Sequence, residues 1–299
     1  MGQYLTVVRY EIIGASRDRL PRTLLIVFLG MIAASGIIGW LTNQTVTAVY
    51  NQIRADGLTG APNPFMGVSP LRYMSNTVIY VVLIGALLST VAGVQTALRD
   101  RKMNTTDLVL SRPVSPVRYV AGKLTGQALW LAVVLAIAAF TNWVSISVIT
   151  GTVLSLSDAG QIALFYAMSW MFLLFFVSLG MISGLRSGSE AIALLVPVLV
   201  WGILIFVVPQ LGTAAHPVSL LNPVAVPPSQ GGFFQLMNTV LGPFALGEHF
   251  KNVSSSVLAT SVDAQTPVLS FLVVALFTAV AVTSLLLTPR TVLRKALHE

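Results

Sequence analysis

The sequence contains no cysteine, which excludes disulfide bonds, thiolate zinc sites, iron–sulfur ligation and cysteine nucleophiles. It is also poor in charge, because Asp, Glu, Lys and Arg make up only 9% of its 299 residues while hydrophobic residues make up 55%. Soluble domains carry roughly 25% charged residues. So few charges cannot cover a water-facing surface, and the composition therefore predicts an integral membrane protein.

The sequence also lacks the residue patterns that several kinds of functional site require. The three histidines, His216, His249 and His298, do not pair across a predicted span, so neither haem ligation nor a metal site is expected. No phosphate-binding GxxxxGK[ST] motif occurs, since Gly122-Lys123 is followed by Leu124. We therefore expect no catalytic residues, no metal and no cofactor in this chain.

Six segments are apolar and long enough to cross a bilayer core of about 30 Å as helices. They contain no Asp, Glu, Lys, Arg or His, whereas ion-driven carriers generally need such residues in the membrane. Their polar side chains are hydroxyls and amides such as Gln127 and Asn142, for which joining of helices is the favoured role. The predicted spans are Thr23–Leu41, Thr77–Leu98, Gln127–Ile149, Gln161–Ser183, Ala191–Val208 and Val268–Leu287.

The net charge of +7 is distributed unevenly about these spans. With both termini in the cytoplasm, 14 of the 17 basic residues lie inside, and only Arg54, Arg72 and Lys251 lie outside. An excess of Lys and Arg on the cytoplasmic side is the usual orientation signal. The charge therefore predicts a multi-pass protein of the plasma membrane with cytoplasmic termini, and it gives no support to nucleic-acid binding.

The segments outside the spans differ in character. Residues 1–22 place Tyr4, Leu5, Val8, Ile12 and Ala15 on one arc, which favours an interfacial helix that enters the membrane through an elbow at Pro21. The alternative is a basic flank that only anchors the first span. Residues 23–299 form one transmembrane domain with external loops over 42–76 and 210–267. In the second loop we expect short helices broken at Gly242-Pro243, with a simple linker as the alternative.

The longest cytoplasmic connection, residues 99–123, holds six of the 14 inner basic residues. Thr105 or Thr106 can cap a short helix whose apolar side includes Leu108 and Leu110, with Asp107 in its first turn. Arg112-Pro113 ends that helix, and Ser115-Pro116 begins the next. From Pro116 to Ile149 the helix would be about 51 Å long, so it should project into the cytoplasm. This geometry suits docking on a soluble partner, and a solvated basic loop is the alternative.

At this point the sequence resembles the membrane subunits of ABC-2 type transporters, in particular the permease branch of copper-processing systems that mature nitrous-oxide reductase. The resemblance rests on the charged run of residues 99–102, the Thr-Thr-Asp-Leu-Val-Leu run of residues 105–110, Ser-Arg-Pro-Val-Ser over residues 111–115, and Gly122-Lys123. Asn104 stands where that family usually has glycine. The six-span pattern extends the similarity over the whole chain.

The resemblance implies an ABC-2, type V exporter-like fold in which a dimer, of two copies or of this chain and a paralogue, forms the translocation path. Separate ATPase subunits would bind ATP-Mg. The resemblance leaves open whether an extracytoplasmic partner also binds. A second cytoplasmic contact is expected at Arg186, Ser187 and Glu190, with an ordinary helical hairpin as the alternative. A membrane scaffold and a secondary carrier are the competing functions. The expected ATPase-coupling residues are Arg99, Arg101, Lys102, Thr105, Asp107, Leu108, Leu110, Arg112 and Pro113.

Overall fold

The computed structural model describes residues 2–60, 69–102, 115–214, 218–228, 231–259 and 267–288. Throughout these ranges the chain forms helices joined by short connections, and no described residue lies in a strand. Helix α1 (Gly2–Arg17) is followed by six candidate membrane spans, which confirms the predicted all-α polytopic fold. The spans run over Arg19–Ala55, Pro70–Arg99, Val117–Thr150, Leu156–Arg186, Glu190–Thr213 and Pro267–Leu286.

The first span is the helix α2 (Arg19–Ala55), which continues 14 residues beyond the predicted end at Leu41. Residues 42–55 contain neither glycine nor proline, so nothing in the local sequence ends the helix there. It stops at Asp56, after which Gly57 adopts a φ of 70°. Gly57 N donates to Arg54 O and Leu58 N donates to Ile53 O, which is the hydrogen-bond pattern of a Schellman cap.

The second span is built from several pieces and is largely buried. A 3₁₀ turn (Pro70–Met74) leads into α3 (Ser75–Tyr80), a π-helical turn (Val81–Gly85) and α4 (Ala86–Lys102). The third span, α5 (Pro116–Thr150), starts where the sequence predicts, because Ser115 Oγ accepts a hydrogen bond of 3.3 Å from Arg118 N and Pro116 follows it. Its 35 residues measure about 52 Å.

The fourth span, α6 (Leu156–Arg186), packs directly against α4 at the centre of the bundle. A Cβ atom added at Gly93 would lie 2.2 Å from Val177 O, and one added at Gly180 would lie 2.2 Å from Thr90 O. Gly184 follows Gly180 by four residues and lies against Ala97. Small residues at this spacing let the two backbones touch, which replaces hydrophobic burial as the means of helix association in lipid.

The fifth span consists of α7 (Glu190–Gly202), a π-helical turn (Ile203–Val207) and α8 (Val208–Thr213). Pro197 inside α7 has no N–H for the carbonyl of Ala193. That carbonyl accepts a hydrogen bond of 2.9 Å from Ser183 Oγ of the fourth span instead. The side chain of a neighbouring helix thus satisfies the backbone group that proline frees, as a membrane interior requires.

The segment before the last span is folded. It contains α9 (Gly232–Leu241), a 3₁₀ turn (Gly242–Phe244) and α10 (Leu246–Val257), before the sixth span α11 (Pro267–Leu286). The predicted short helices and their break at Gly242-Pro243 are confirmed. Leu246, Phe250 and Val253 of α10 are buried, and Phe250 stacks on Phe172 of α6 with ring centroids 4.4 Å apart. This packing excludes a simple linker.

Amides in the spans join helices, as the sequence predicts. Asn142 of α5 donates from Nδ2 to Thr77 Oγ1 at 3.1 Å and to Tyr166 OH at 2.8 Å, so one side chain links the second, third and fourth spans. Gln127 donates from Nε2 to Thr96 Oγ1 of α4. Both amides are buried.

Candidate functional site

The end of the bundle that is predicted to face the cytoplasm holds an ion cluster formed by Glu11, Asp18, Arg99 and Lys123, which we call the cytoplasmic ion cluster. Helix α1 lies against the end of α4 and the beginning of α5, and this packing buries Glu11 completely. Arg99 lies in the last turn of α4 and Lys123 at the start of the third turn of α5. Residues of α1, α4 and α5 and the N-cap residue of α2 therefore meet at one point.

The Glu11 carboxylate is shared by the two cations. Arg99 Nη1 donates to Glu11 Oε2, and Lys123 Nζ lies 2.9 Å from Glu11 Oε1. Arg99 Nη2 also donates to Asp18 Oδ2 at 2.8 Å, at the junction of α1 and α2. The two acids and two bases balance, so the cluster carries no net charge into its buried position.

Lys123 is held by further contacts. Its Nζ donates to Thr96 O at 2.7 Å and lies 5.3 Å from the centroid of the Tyr119 ring. Only 2% of its side chain is exposed. A buried ammonium is tolerated when it is paired and its donors are used, and these contacts meet both conditions.

Glycine permits the close approach of α1. A Cβ atom added at Gly126 of α5 would lie 2.5 Å from Glu11 Cβ and 3.0 Å from Val8 O. One added at Gly14 of α1 would lie 2.5 Å from the guanidinium of Arg99. A larger residue at Gly126 would push α1 away from α5, and one at Gly14 would displace the guanidinium of Arg99.

The exposed face of α1 is apolar in part. Leu5 is 62% exposed, whereas Val8, Glu11 and Ala15 face the bundle. Tyr4 lies at the edge, where its hydroxyl is 2.7 Å from Thr125 Oγ1. The predicted arc is thus divided, with Val8 and Ala15 inside and Leu5 outside.

The predicted coupling residues fall partly in this region. Arg99 is a member of the cytoplasmic ion cluster and is buried, so it is not an open surface contact in this chain. Arg101 and Lys102 form the end of α4. The remaining residues lie outside the described ranges, between α4 and α5: Thr105, Asp107, Leu108, Leu110, Arg112 and Pro113.

The second predicted cytoplasmic contact is the tight connection between α6 and α7. Arg186 ends α6 and is exposed, Ser187 is half-buried, and Glu190 begins α7 and is exposed. The chain turns here within three residues, so the two helices form a hairpin, and the docking contact at this turn stays a prediction. Ser189 occupies the N-cap position of α7 without a side-chain capping bond.

Sequence reasoning missed Glu11 and Asp18 as partners of Arg99. One signal was available, because Glu11 follows Val8 by three residues and precedes Ala15 by four. It therefore lies on the same helix face as two residues that pack inward. A charge on the buried face of an amphipathic helix indicates a buried partner elsewhere in the chain.

The opposite end of the molecule has a cavity of about 590 Å³ between α8, α9, α10 and the start of α11. Glu248 in its wall accepts hydrogen bonds from Ser219 Oγ at 2.6 Å, from Val226 N at 3.0 Å and from Lys251 Nζ at 2.7 Å. Burial lowers the pKa of Lys251, and the neighbouring Glu248 acts in the opposite direction. The pair fixes the chain around residues 219–226 to α10.

His249 lines the same cavity. One ring nitrogen, Nδ1, lies 3.2 Å from Ser270 Oγ and the other, Nε2, lies 3.1 Å from Gly242 O. Burial lowers the pKa of His249, while the hydrogen bond to Gly242 O and the charge of Glu248 raise it. Within the described ranges no three His, Asp or Glu side chains converge as metal ligands would.

Comparison with known proteins identifies the family. The family model described as ABC-2 family transporter protein matches residues 5–291, which is nearly the whole chain. A comparison with curated proteins gave no match. Members of this family are membrane permeases that work with ATP-binding subunits, and six membrane spans agree with that role. The chain therefore belongs to the ABC-2 family of transporter proteins.

Proposed function

We propose that this chain is the transmembrane subunit of an ATP-driven exporter, that it forms the translocation path with a second copy or a paralogue, and that ATPase subunits dock on segment 99–123. ATP-Mg would be bound and hydrolysed on the partner. Both termini would lie in the cytoplasm of a cell whose plasma membrane holds the protein. The motif around Arg112-Pro113 resembles that of copper-processing systems, and a role of this chain in such a system stays a prediction.

The observation that carries the proposal is the cytoplasmic ion cluster. It ties α1, the end of α4 and the beginning of α5 into one unit on both sides of residues 103–114. A force applied to that segment would therefore act on the second and third spans together, and also on the first span through Asp18. Closure of the ATPases would tilt these helices and switch access to the path.

The uncharged spans supply the second support. All six predicted spans lack Asp, Glu, Lys, Arg and His, so the residues that usually form a proton or sodium pathway are missing from them. Energy from a partner's ATP hydrolysis explains transport without them. This argument separates the proposal from a secondary carrier.

The test uses Leu108→Asp and Leu110→Asp in the full chain, co-expressed with its ATP-binding subunit and reconstituted in liposomes. Each change places a carboxylate on the predicted docking side, so we expect at least tenfold less ATPase to co-purify, since about 1.4 kcal/mol of lost affinity suffices for that. Leu58→Asp is the matched control. Leu58 is 76% exposed in the turn after α2, on the predicted outer side.

Three outcomes would contradict the proposal. If both variants bind the ATPase fully and stimulate its hydrolysis, segment 99–123 is not the docking element. Transport driven by an ion gradient without ATP would identify a carrier. Normal function with a hydrolysis-deficient ATPase would identify a membrane scaffold. Thermal unfolding in detergent should show unchanged bundle stability for all variants, because loss of folding would instead place Leu108 and Leu110 in the core.

A further inference from the structure

A row of exposed side chains runs along α1 on the side that faces away from the bundle. Leu5, Arg9, Ile13 and Arg17 follow one another at four-residue intervals, so they lie within one arc of about 120°. All four are exposed, and the exposed fraction is 62% for Leu5 and 42% for Ile13. This row, which we call the α1 row, therefore alternates apolar and basic side chains.

Helix α1 lies at the level where the apolar segments of the neighbouring spans end. A Cβ atom added at Gly126 would lie 2.5 Å from Glu11 Cβ, and the predicted apolar segment of the third span begins at the next residue, Gln127. Arg99, which donates to Glu11, directly follows the predicted apolar segment of the second span, which ends at Leu98. Phospholipid headgroups adjoin the ends of such segments, so α1 lies in the headgroup layer.

The two acids of the same segment do not neutralise the α1 row. Glu11 is fully buried and pairs with Arg99 on the side of the helix that faces the bundle. Asp18 Oδ2 accepts a hydrogen bond of 2.8 Å from Arg99 Nη2. The side chains of Arg9 and Arg17 make neither a hydrogen bond nor an ion pair with any residue that the structure describes. The bundle thus withdraws both acids and leaves the arginines unneutralised.

The start of α2 continues the same pattern beyond the elbow. Arg19 and Arg22 are exposed, and their side chains also lack a partner among the described residues. Leu20, between them, is 52% exposed. Four unneutralised guanidinium groups and three exposed apolar side chains therefore lie along one boundary of the bundle.

We propose that the α1 row, together with Arg19 and Arg22, binds anionic phospholipids at the membrane surface. The guanidinium groups would pair with the lipid phosphates, for which their planar donors are well suited. Leu5 and Ile13 would enter the layer between headgroups and acyl chains. The apolar side chains between the arginines, and their level at the ends of the spans, favour lipid over an acidic protein surface. The proposal depends neither on ATPase docking nor on which face of the membrane holds the termini.

The first test measures lipid binding to the chain in detergent by native mass spectrometry, with phosphatidylglycerol and phosphatidylcholine as probes. Wild type should retain phosphatidylglycerol in preference to phosphatidylcholine. Arg9→Gln and Arg17→Gln should each bind phosphatidylglycerol about fivefold more weakly, since one basic residue near an anionic surface contributes about 1 kcal/mol. Arg118→Gln is the matched control and should bind as wild type does. Arg118 is also exposed, but it lies in the first turn of α5, about 12 Å along the helix from Gly126.

The second test measures where α1 lies, and it uses the absence of cysteine from the chain. A fluorophore on Leu5→Cys in phosphatidylglycerol liposomes should be quenched strongly by lipids that carry a nitroxide near the headgroup. The same fluorophore on Arg118→Cys should be quenched much less, because α5 carries it away from the bilayer.

Four outcomes would overturn the proposal. Equal loss of phosphatidylglycerol in Arg9→Gln and Arg118→Gln would show general charge attraction. Equal retention of the two lipids by wild type would exclude selectivity for anionic lipid, and weaker co-purification of the ATP-binding subunit with Arg9→Gln would then identify a protein-docking face. A Leu5→Cys label that the nitroxide lipids do not quench would remove α1 from the membrane surface. Reduced thermal stability of Arg9→Gln in detergent without added lipid would show that this arginine supports the fold instead.

Discussion

At the scale of single residues, the cytoplasmic ion cluster is the main departure from an apolar bundle. Glu11 is fully buried and is shared by Arg99 and Lys123, so removing it would leave two cations facing each other. Asp18 contributes from the edge, where 30% of its side chain is exposed. Water screens an exposed pair and a buried pair very differently. The two acids should therefore contribute unequally to the free energy of unfolding.

We predict that Glu11→Gln lowers the free energy of unfolding by about 3 kcal/mol, because breaking a buried pair leaves an uncompensated charge. Asp18→Asn should cost about 1 kcal/mol or less, as a partly exposed pair does. Thermal unfolding of the two variants in the same detergent measures the difference. Equal effects would mean that water reaches Glu11.

His249 makes the outer segment sensitive to acid. Its pKa in the folded chain lies below the ordinary 6.5 because it is buried, so an opened state binds the proton more readily. Stability is therefore full above about pH 6.5 and declines as the pH falls through the interval between 6.5 and the folded pKa. Glu248 and Lys251, which are paired with each other, are the neighbouring charges on α10.

Hydrogen exchange of α10 should therefore be faster at pH 5.5 than at pH 7.5 after correction for the intrinsic rate. His249→Gln, which can still reach Ser270 or Gly242, should lose most of this pH dependence. An equal acceleration in wild type and variant would show that His249 is not the cause.

At the scale of elements, the crossing of α4 and α6 determines the architecture. Gly93 and Gly180 bring each backbone against the other helix, and Gly184 with Ala97 extends the contact by one turn. Since lipid tails are as apolar as the side chains, close backbone packing has to supply the attraction. The other spans surround this pair.

We predict that Gly93→Ala and Gly180→Ala each destabilise the bundle by about 2 kcal/mol, because the new methyl group meets a backbone carbonyl that can move only with its helix. Gly30→Ala in α2 is the control, since a Cβ there has no atom within 4 Å. It should be neutral or stabilising by up to about 1 kcal/mol. Detergent unfolding midpoints compare the three, and a loss of stability in the Gly30 variant would point to a general effect of glycine replacement.

At the scale of the whole molecule, the asymmetry of charge predicts one orientation. The predicted inner face holds 14 basic residues against 6 acidic ones, and the outer face holds 3 against 4. The cytoplasmic ion cluster lies at one end of the second span and Arg72 at the other. Chemical labelling of residues on the two predicted faces can therefore test this orientation.

Because the chain has no cysteine, single-cysteine variants can be labelled without any background. In intact cells a membrane-impermeant maleimide should label Leu58→Cys and leave Ser189→Cys unlabelled until the membrane is permeabilised. Leu58 is 76% exposed after α2, and Ser189 is exposed before α7. The reverse labelling pattern would contradict cytoplasmic termini.

The sequence by itself determined the number and order of the membrane spans, the start of α5 at Ser115-Pro116 and the break at Gly242-Pro243. Each depends on apolar length, charge or backbone chemistry within a short stretch, so no distant residue is needed to read it. Tertiary structure alone decided that Glu11 meets Arg99 and Lys123, that Gly93 meets α6, and that Asp18 pairs with Arg99. These pairings join residues from different helices, and they arise from how the helices pack together, which no local pattern records.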